Sequence, residues 1–373
     1  MNENQIEFIN IIKLLIYKEN SKLLEKIDFE NDDAFMEPLL FAYFNSKKDK
    51  LYDELMLNEI MQGYFIKKES IKLSSFYNKN DSTFIPNLGY FYKDNVRKYE
   101  PILKIGDFEI LKEIHPVLER YFRETSREHI TNSNPGYKSA WKESIIDLEI
   151  AIDIIKNHIP TFYKELIFAN RRIFLHNNSK ILNFTSFETL GMLFFYVLKN
   201  NNVIYFIEEL IHQGSHNLLY YIVHNRKDFF KVDVDTIVMK HLTKQNWDYR
   251  TVYGAFHGLF TVSQRLKYFD QLLMENVLFG KQKHEILGRL ADQFSRFRTG
   301  LELLNFNDVY TDRGFLYYNE LDFNCQNVLN KYKKLESFFD LSNRDLDFRY
   351  DDFCKLNSFA EFNKKDDEGF FNF

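Results

Sequence analysis

Cysteine is nearly absent from this protein. Its 373 residues include two, Cys325 and Cys354, with no C-x-x-C spacing. A disulfide framework is therefore not expected, and a reduced, cytoplasmic setting is the default. Proline is also scarce, with six in all and none after Pro160. No apolar run reaches the ~18–20 residues of a membrane span. The opening stretch, MNENQIEFINIIKLLIYKENSK, is acidic near its start and charged throughout, unlike a signal peptide. No basic stripe stands out. The net charge is −5, with 49 Lys and Arg against 54 Asp and Glu, interspersed, so a nucleic-acid partner is not expected. A phosphate-binding glycine loop is missing, Ser215 and Ser263 lack a nucleophile-elbow context, and there is no internal repeat.

What is abundant is apolar and aromatic. Hydrophobic residues make up 45% of the sequence, with 39 Phe and 23 Tyr. That supplies a large core for one big domain or two of moderate size. Residues 4–28 repeat apolar positions with helical period through Ile6, Ile9, Ile12, Leu15 and Leu23, and 35–75 continue similarly. Residues 78–86 read as a loop. Residues 107–125 read as a helix with Pro116 at a turn or kink. Residues 126–137 (SREHITNSNPGY) are polar and turn-rich, which marks a boundary.

A charged amphipathic helix is expected over 138–157. Short apolar runs follow, RRIFLHNN, KILNFTSF and GMLFFYVL, with the look of strands. Helices are expected again from about Val203 to His224, over 235–245, over 250–275 and over 283–304. Asp312-Arg313-Gly314 reads as a turn, and the tail beyond Lys364 as loosely ordered. The expected fold is α+β and mostly helical: a helical N-terminal region over 1–135, then an α+β region over 136–373 with a small sheet and a metal-binding helix.

The chemistry-bearing stretch is FIEELIHQGSH, residues 206–216. His212 and His216 are spaced i, i+4, which puts their Cβ atoms roughly 5–6 Å apart on one helix face. Two neutral imidazoles there suit one first-row metal ion. The pattern differs by one residue from the zinc-peptidase motif H-E-x-x-H. Gln213 stands where that motif has its general base, and a carboxamide is no base near pH 7. Metal geometry without a hydrolytic base argues against a peptidase. A third ligand is sought in YRTVYGAFHGLF, residues 249–260, where His257 sits among apolar residues. His224 is the competing choice, though its neighbours suggest a solvated helix end.

Taken together, FTSFETLGMLFFYVL, EELIHQGSH, WDYRTVYGAFHGLF and NDVYTDRG resemble the H-E-x-x-H-motif peptide-modification proteins of peptide natural-product clusters, over about residues 165–318. Arg250-x-x-x-Gly254-x-x-His257-Gly258 is the most telling part. Members of that family are iron(II)- and 2-oxoglutarate-dependent peptide β-hydroxylases. The resemblance implies His212, His216 and His257 as ligands of Fe(II), with 2-oxoglutarate and O₂ as co-substrates and a ribosomally synthesised precursor peptide as substrate. The distal carboxylate of 2-oxoglutarate needs a cation, and an arginine fork suits it. Arg250 and Arg265 lead there, with Arg296 and Arg298 behind. Gln213 and Tyr253 are expected to bond the co-substrate or a metal-bound water, and Glu209 to be either an outer partner or a solvated charge. Gln213 departs from the family's Glu, which keeps two alternatives open: a peptide-binding scaffold with a relic metal site, or an unusual zinc hydrolase. A homodimer is also left open.

Overall fold

The computed structural model describes residues 3–46, 52–67, 71–73, 82–92, 95–124, 137–345 and 347–373. The protein is mixed α/β, about 59% helical, with small sheets. It gathers into two units, each discontinuous in sequence. The first holds Met1–Glu149, Ile167–Lys199 and Tyr220–Ile222; the second holds Ile150–Leu166, Asn200–Leu219 and Val223–Phe373. This differs from a single division at 135/136, and residues 125–136, where that boundary was expected, lie outside the described residues. Among the described residues, no helix is long and apolar enough to cross a membrane.

The first unit opens with α1 (Glu3–Leu24), α2 (Asp32–Phe35), α3 (Pro38–Asn45) and α4 (Glu54–Met61). Strands then follow within the region expected to be helical overall. β1 (Ser82–Ile85), β2 (Gly89–Tyr92) and β3 (Asn95–Pro101) form an antiparallel sheet in that order. The expected loop at 78–86 therefore ends in a buried strand. β4 (Leu103–Ile105) and β5 (Phe108–Leu111) make a hairpin, and only at Pro116 does α5 (Pro116–Glu124) begin. The single helix expected over 107–125 is thus corrected to strand then helix, and the helical first half to a mixed one.

β5 pairs in parallel with β6 (Arg172–His176), and β6 in parallel with β7 (Met192–Tyr196). Residues 173–175 and 192–195 are apolar and both strands are almost wholly buried, as parallel strands covered on both sides require. KILNFTSF, expected as a strand, makes only an isolated bridge at Phe184–Phe194 and one 3-10 turn at Phe187–Thr189. The sheet expected beside the metal helix gathers instead with the N-terminal segments.

A charged cluster is buried within the apolar core of this unit. Arg172, at the start of β6, is fully buried. Its Nη2 donates to Glu37 Oε2 at 2.8 Å and its Nε to Glu109 Oε2 at 2.7 Å. Glu37 caps α3 by accepting from Leu39 N, and it also accepts from the Tyr64 hydroxyl at 2.7 Å. Helix cap and sheet are tied through one guanidinium.

The second unit is helical. α6 (Tyr137–His158) and α7 (Pro160–Ala169) contribute to both units. α8 (Val203–Ile222, whose last three residues belong to the first unit), α9 (Met239–Thr243), α10 (Val252–Met274), α11 (Lys281–Arg298), α12 (Asp312–Lys331), α13 (Lys334–Phe338), α14 (Tyr350–Leu356) and α15 (Phe359–Asp367) complete it. The tail is packed rather than loose. Phe371 is 3% exposed, with ring centroids 4.7 Å from Phe362 and 5.0 Å from Phe338.

Asp312-Arg313-Gly314, expected as a turn, is the first turn of α12. Thr311 caps it by accepting from Gly314 N at 3.1 Å. Gly314 is there for close approach, because a Cβ would lie 1.8 Å from the Phe229 carbonyl oxygen. Gly314→Ala is expected to destabilise the protein by about 1–3 kcal/mol through this overpacking. Denaturant titration reads it, and an unchanged midpoint would mean that the Phe229 backbone moves aside freely.

Candidate metal centre

α8 is positioned at its start by Asn202, whose side chain accepts from Ile204 N and Tyr205 N. The Asn202 amide also donates to Glu285 Oε2 at 2.6 Å. α10 is capped by Thr251, which accepts from Gly254 N at 3.0 Å. Between these two helices, three imidazoles meet. The spacing i, i+4 brings His212 and His216 to a centroid separation of 4.7 Å, with Nε2 to Nε2 at 3.0 Å. His257 of α10 lies with its ring centroid 4.0 Å from that of His216, and its Nε2 touches His216 Nδ1. Each of the three residues keeps partial solvent access, while most flanking residues are buried.

All three are held neutral. Burial first, then the Arg265 charge, pushes His212 well below the usual imidazole range. Burial, His257 and Arg265 do the same to His216. Burial, aided by Arg226, takes His257 to about 4. Lone pairs are thus available for a cation at neutral pH.

As placed, the rings form a relay rather than a facial set. His216 offers Nε2 to His212 and Nδ1 to His257, and among the described residues no group of three or more His, Cys, Asp or Glu is arranged around one point to hold a metal ion. The His212–His216 spacing of 3.0 Å nevertheless suits adjacent ligands, since bonds of about 2.0–2.1 Å to one ion put neighbouring nitrogens about 3 Å apart. Joining His257 to the same ion requires the His216 ring to turn. The donor chemistry fits a divalent first-row metal: three neutral imidazoles, partly desolvated, on two rigid helices.

The other expected residues divide. Gln213 is 4% exposed and donates to Glu209 Oε2 at 3.2 Å. Tyr253 stacks on His257 at 16° and 5.7 Å, and the Arg226 guanidinium lies 3.6 Å from the centre of the Tyr253 ring. Tyr253 thus packs its ring against that of His257. Arg265 is 4% exposed, with Nε 3.4 Å from Glu208 and Nη1 on Gln293 Oε1 at 3.3 Å. Arg250 is engaged elsewhere, holding Asp248 at 2.8 and 2.7 Å and donating to the Thr299 carbonyl. Arg298 pairs with Glu336 in an exposed position, Arg296 with Asp292 at 2.5 Å, and His224 lies beyond the end of α8.

Glu208, on the same stripe of α8 as the imidazoles, belongs to an ion network of which sequence reading singled out only Arg265 and Arg296. Glu208 pairs with Arg289, which also donates to Glu285 Oε1 at 3.0 and 2.7 Å. Asp292 takes both Arg296 and Arg344. Part of the signal was available: Glu208, His212 and His216 repeat every four residues along one stripe of α8. Nothing in the sequence connects Arg289 to Glu208, 81 residues away. Glu209 differs from Glu208. Burial and the adjacent Glu208 charge push its carboxyl up to about 7, against Arg265 and the Gln213 hydrogen bond. Burial likewise raises Asp347.

No model of a known protein family matches this sequence, and no curated protein matches it.

Proposed function

We propose that this protein is an iron(II)- and 2-oxoglutarate-dependent oxygenase that hydroxylates a C–H bond, with Cβ favoured, in a residue of a ribosomally made precursor peptide. The observation that carries the reading is the meeting of His212, His216 and His257, all neutral, beside the buried cation Arg265. Three imidazoles leave coordination positions open, as a co-substrate and gas require. Iron(II), when bound, supplies with 2-oxoglutarate and O₂ the oxidising power that turns R–H into R–OH, with succinate and CO₂ as the other products.

The protein's own residues have separable tasks. His212, His216 and His257 would hold the ion. Arg265 is the best anchor for the distal carboxylate. Its partner Glu208 is already shared with Arg289, which leaves it a cation only partly spent. Arg250 is less suited, because Asp248 occupies its fork. Gln213 has no proton-accepting role and its amide is turned to Glu209, which weighs against a hydrolase that follows the zinc-peptidase pattern. The peptide substrate rests on the sequence resemblance.

Protein purified without oxygen is expected to hold one iron per molecule. With O₂, 2-oxoglutarate and its precursor peptide, it should release one succinate for each oxygen atom gained by the peptide. Iron-loaded protein that hydroxylates nothing and makes no succinate with that peptide overturns the reading.

A further inference from the structure

The motif's usual carboxylate is missing at position 213, but another carboxylate stands one helical turn upstream. Glu209 precedes His212 by three residues and Gln213 by four, so the three share one stretch of α8. Glu209 is 8% exposed. Its Oε2 accepts from Gln213 Nε2 at 3.2 Å and lies 3.9 Å from His212 Nδ1. Gln213 Nε2 is itself 3.4 Å from that Nδ1. His212 therefore has two unlike edges. Nδ1 faces a carboxylate and a carboxamide, while Nε2 faces His216.

An imidazole that gives its Nε2 lone pair to a cation must keep its proton on Nδ1. As oriented, Gln213 turns its amide nitrogen to Nδ1, and that nitrogen only donates; the group able to accept the proton's hydrogen bond is the Glu209 carboxylate, which must close from 3.9 Å to make it. We propose that Glu209 is a positioning residue of this centre: it holds the His212 proton on Nδ1 and so aims Nε2 at the ion, while Gln213 holds Glu209. The proposal rests on the metal reading of the three histidines and deepens it. It also accounts for the departure from the motif. A Glu at 213 would set a second carboxylate against Glu209, with Glu208 already adjacent, and like charges in a desolvated site are costly. The amide removes that repulsion and adds a donor.

The test is anaerobic titration of the full-length protein with Co(II), read by its visible absorption, alongside far-UV circular dichroism. Glu209→Gln is expected to weaken Co(II) binding about 10–100-fold and to alter the band. The exchange variant Glu209→Gln/Gln213→Glu returns a carboxylate to the Nδ1 edge and is expected to recover most of the loss, which a merely structural role for Glu209 would not produce. Glu209→Asp keeps the charge, loses reach, and is expected to fall between. A folded Glu209→Gln or Glu209→Asp with wild-type affinity and spectrum overturns the proposal, as does an exchange variant with no recovery. Wild-type protein that takes up no Co(II) overturns the metal reading as well, a result distinct from equal binding by wild type and variant.

Discussion

On the metal reading proposed above, wild-type protein is stabilised by a divalent metal and His257→Ala is expected to abolish that stabilisation. A ligand that binds only the folded state adds about 2.7 kcal/mol at a hundred times its dissociation constant. Wild-type protein prepared without oxygen should show that gain with Co(II) or Fe(II), and His257→Ala should show little of it. The loss of affinity should exceed the ~10–100-fold that removal of an outer partner causes. His212→Ala and His216→Ala should behave alike, although His216 stands 41 positions away from His257 in sequence. Agreement among the three is the informative part, since His257 reaches the pair only through the approach of α10 to α8. Were these rings simply core residues, each change would shift stability equally with and without metal. A metal-induced gain that survives intact in His257→Ala sinks the three-imidazole centre.

Arg172→Met is expected to be the most damaging single change in the first unit. It strands Glu37 and Glu109 in a dry interior, and breaking a buried pair from one side costs about 3–5 kcal/mol. The pH dependence gives the sharper readout. Burial alone would raise the Glu37 carboxyl, but the Arg172 charge and hydrogen bonds overcome this and hold it at about 2, against 4.5 when free. The folded state thus binds its proton later than the unfolded state. The resulting stability, about 3 kcal/mol, is fully present above pH ~4.5 and is lost as pH falls toward 2. The neighbouring His115 adds to the acid sensitivity from higher pH. Burial lowers it to about 3, so keeping it neutral in the fold costs stability once pH drops below about 6.5. In Arg172→Met the Glu37 contribution between pH 4.5 and 2 should vanish or reverse, as measured by denaturant midpoints across that range. An unchanged acid profile would mean that Glu37 is not held by Arg172.

Local pattern was a good guide where one element decides its own structure. The i, i+4 spacing of His212 and His216 and the apolar face of α8 are properties of a single helix, and both stood in the sequence. β6 and β7 announced themselves as short, mostly apolar runs. Local pattern misled where pairing partners decide. Phe108-Glu109-Ile110-Leu111 has no strong period of its own; it is a strand because β6 and β4 flank it and because Arg172 neutralises Glu109. Gly314 looked like turn chemistry because the cause of that glycine, the Phe229 carbonyl, is distant in sequence.

The sequence by itself determined the helix-borne imidazole pair, the loss of the motif's base at Gln213, and the mostly helical α/β character, because hydrophobic period and residue chemistry are written locally. Only the tertiary structure decided which distant groups met that pair: His257 rather than His224, Arg265 left near the rings while Arg250 turned to Asp248, and Glu209 drawn into a buried site instead of water. Those choices depend on how α10 and α11 pack against α8, and packing of that kind is set by the summed burial of many side chains rather than by any short motif.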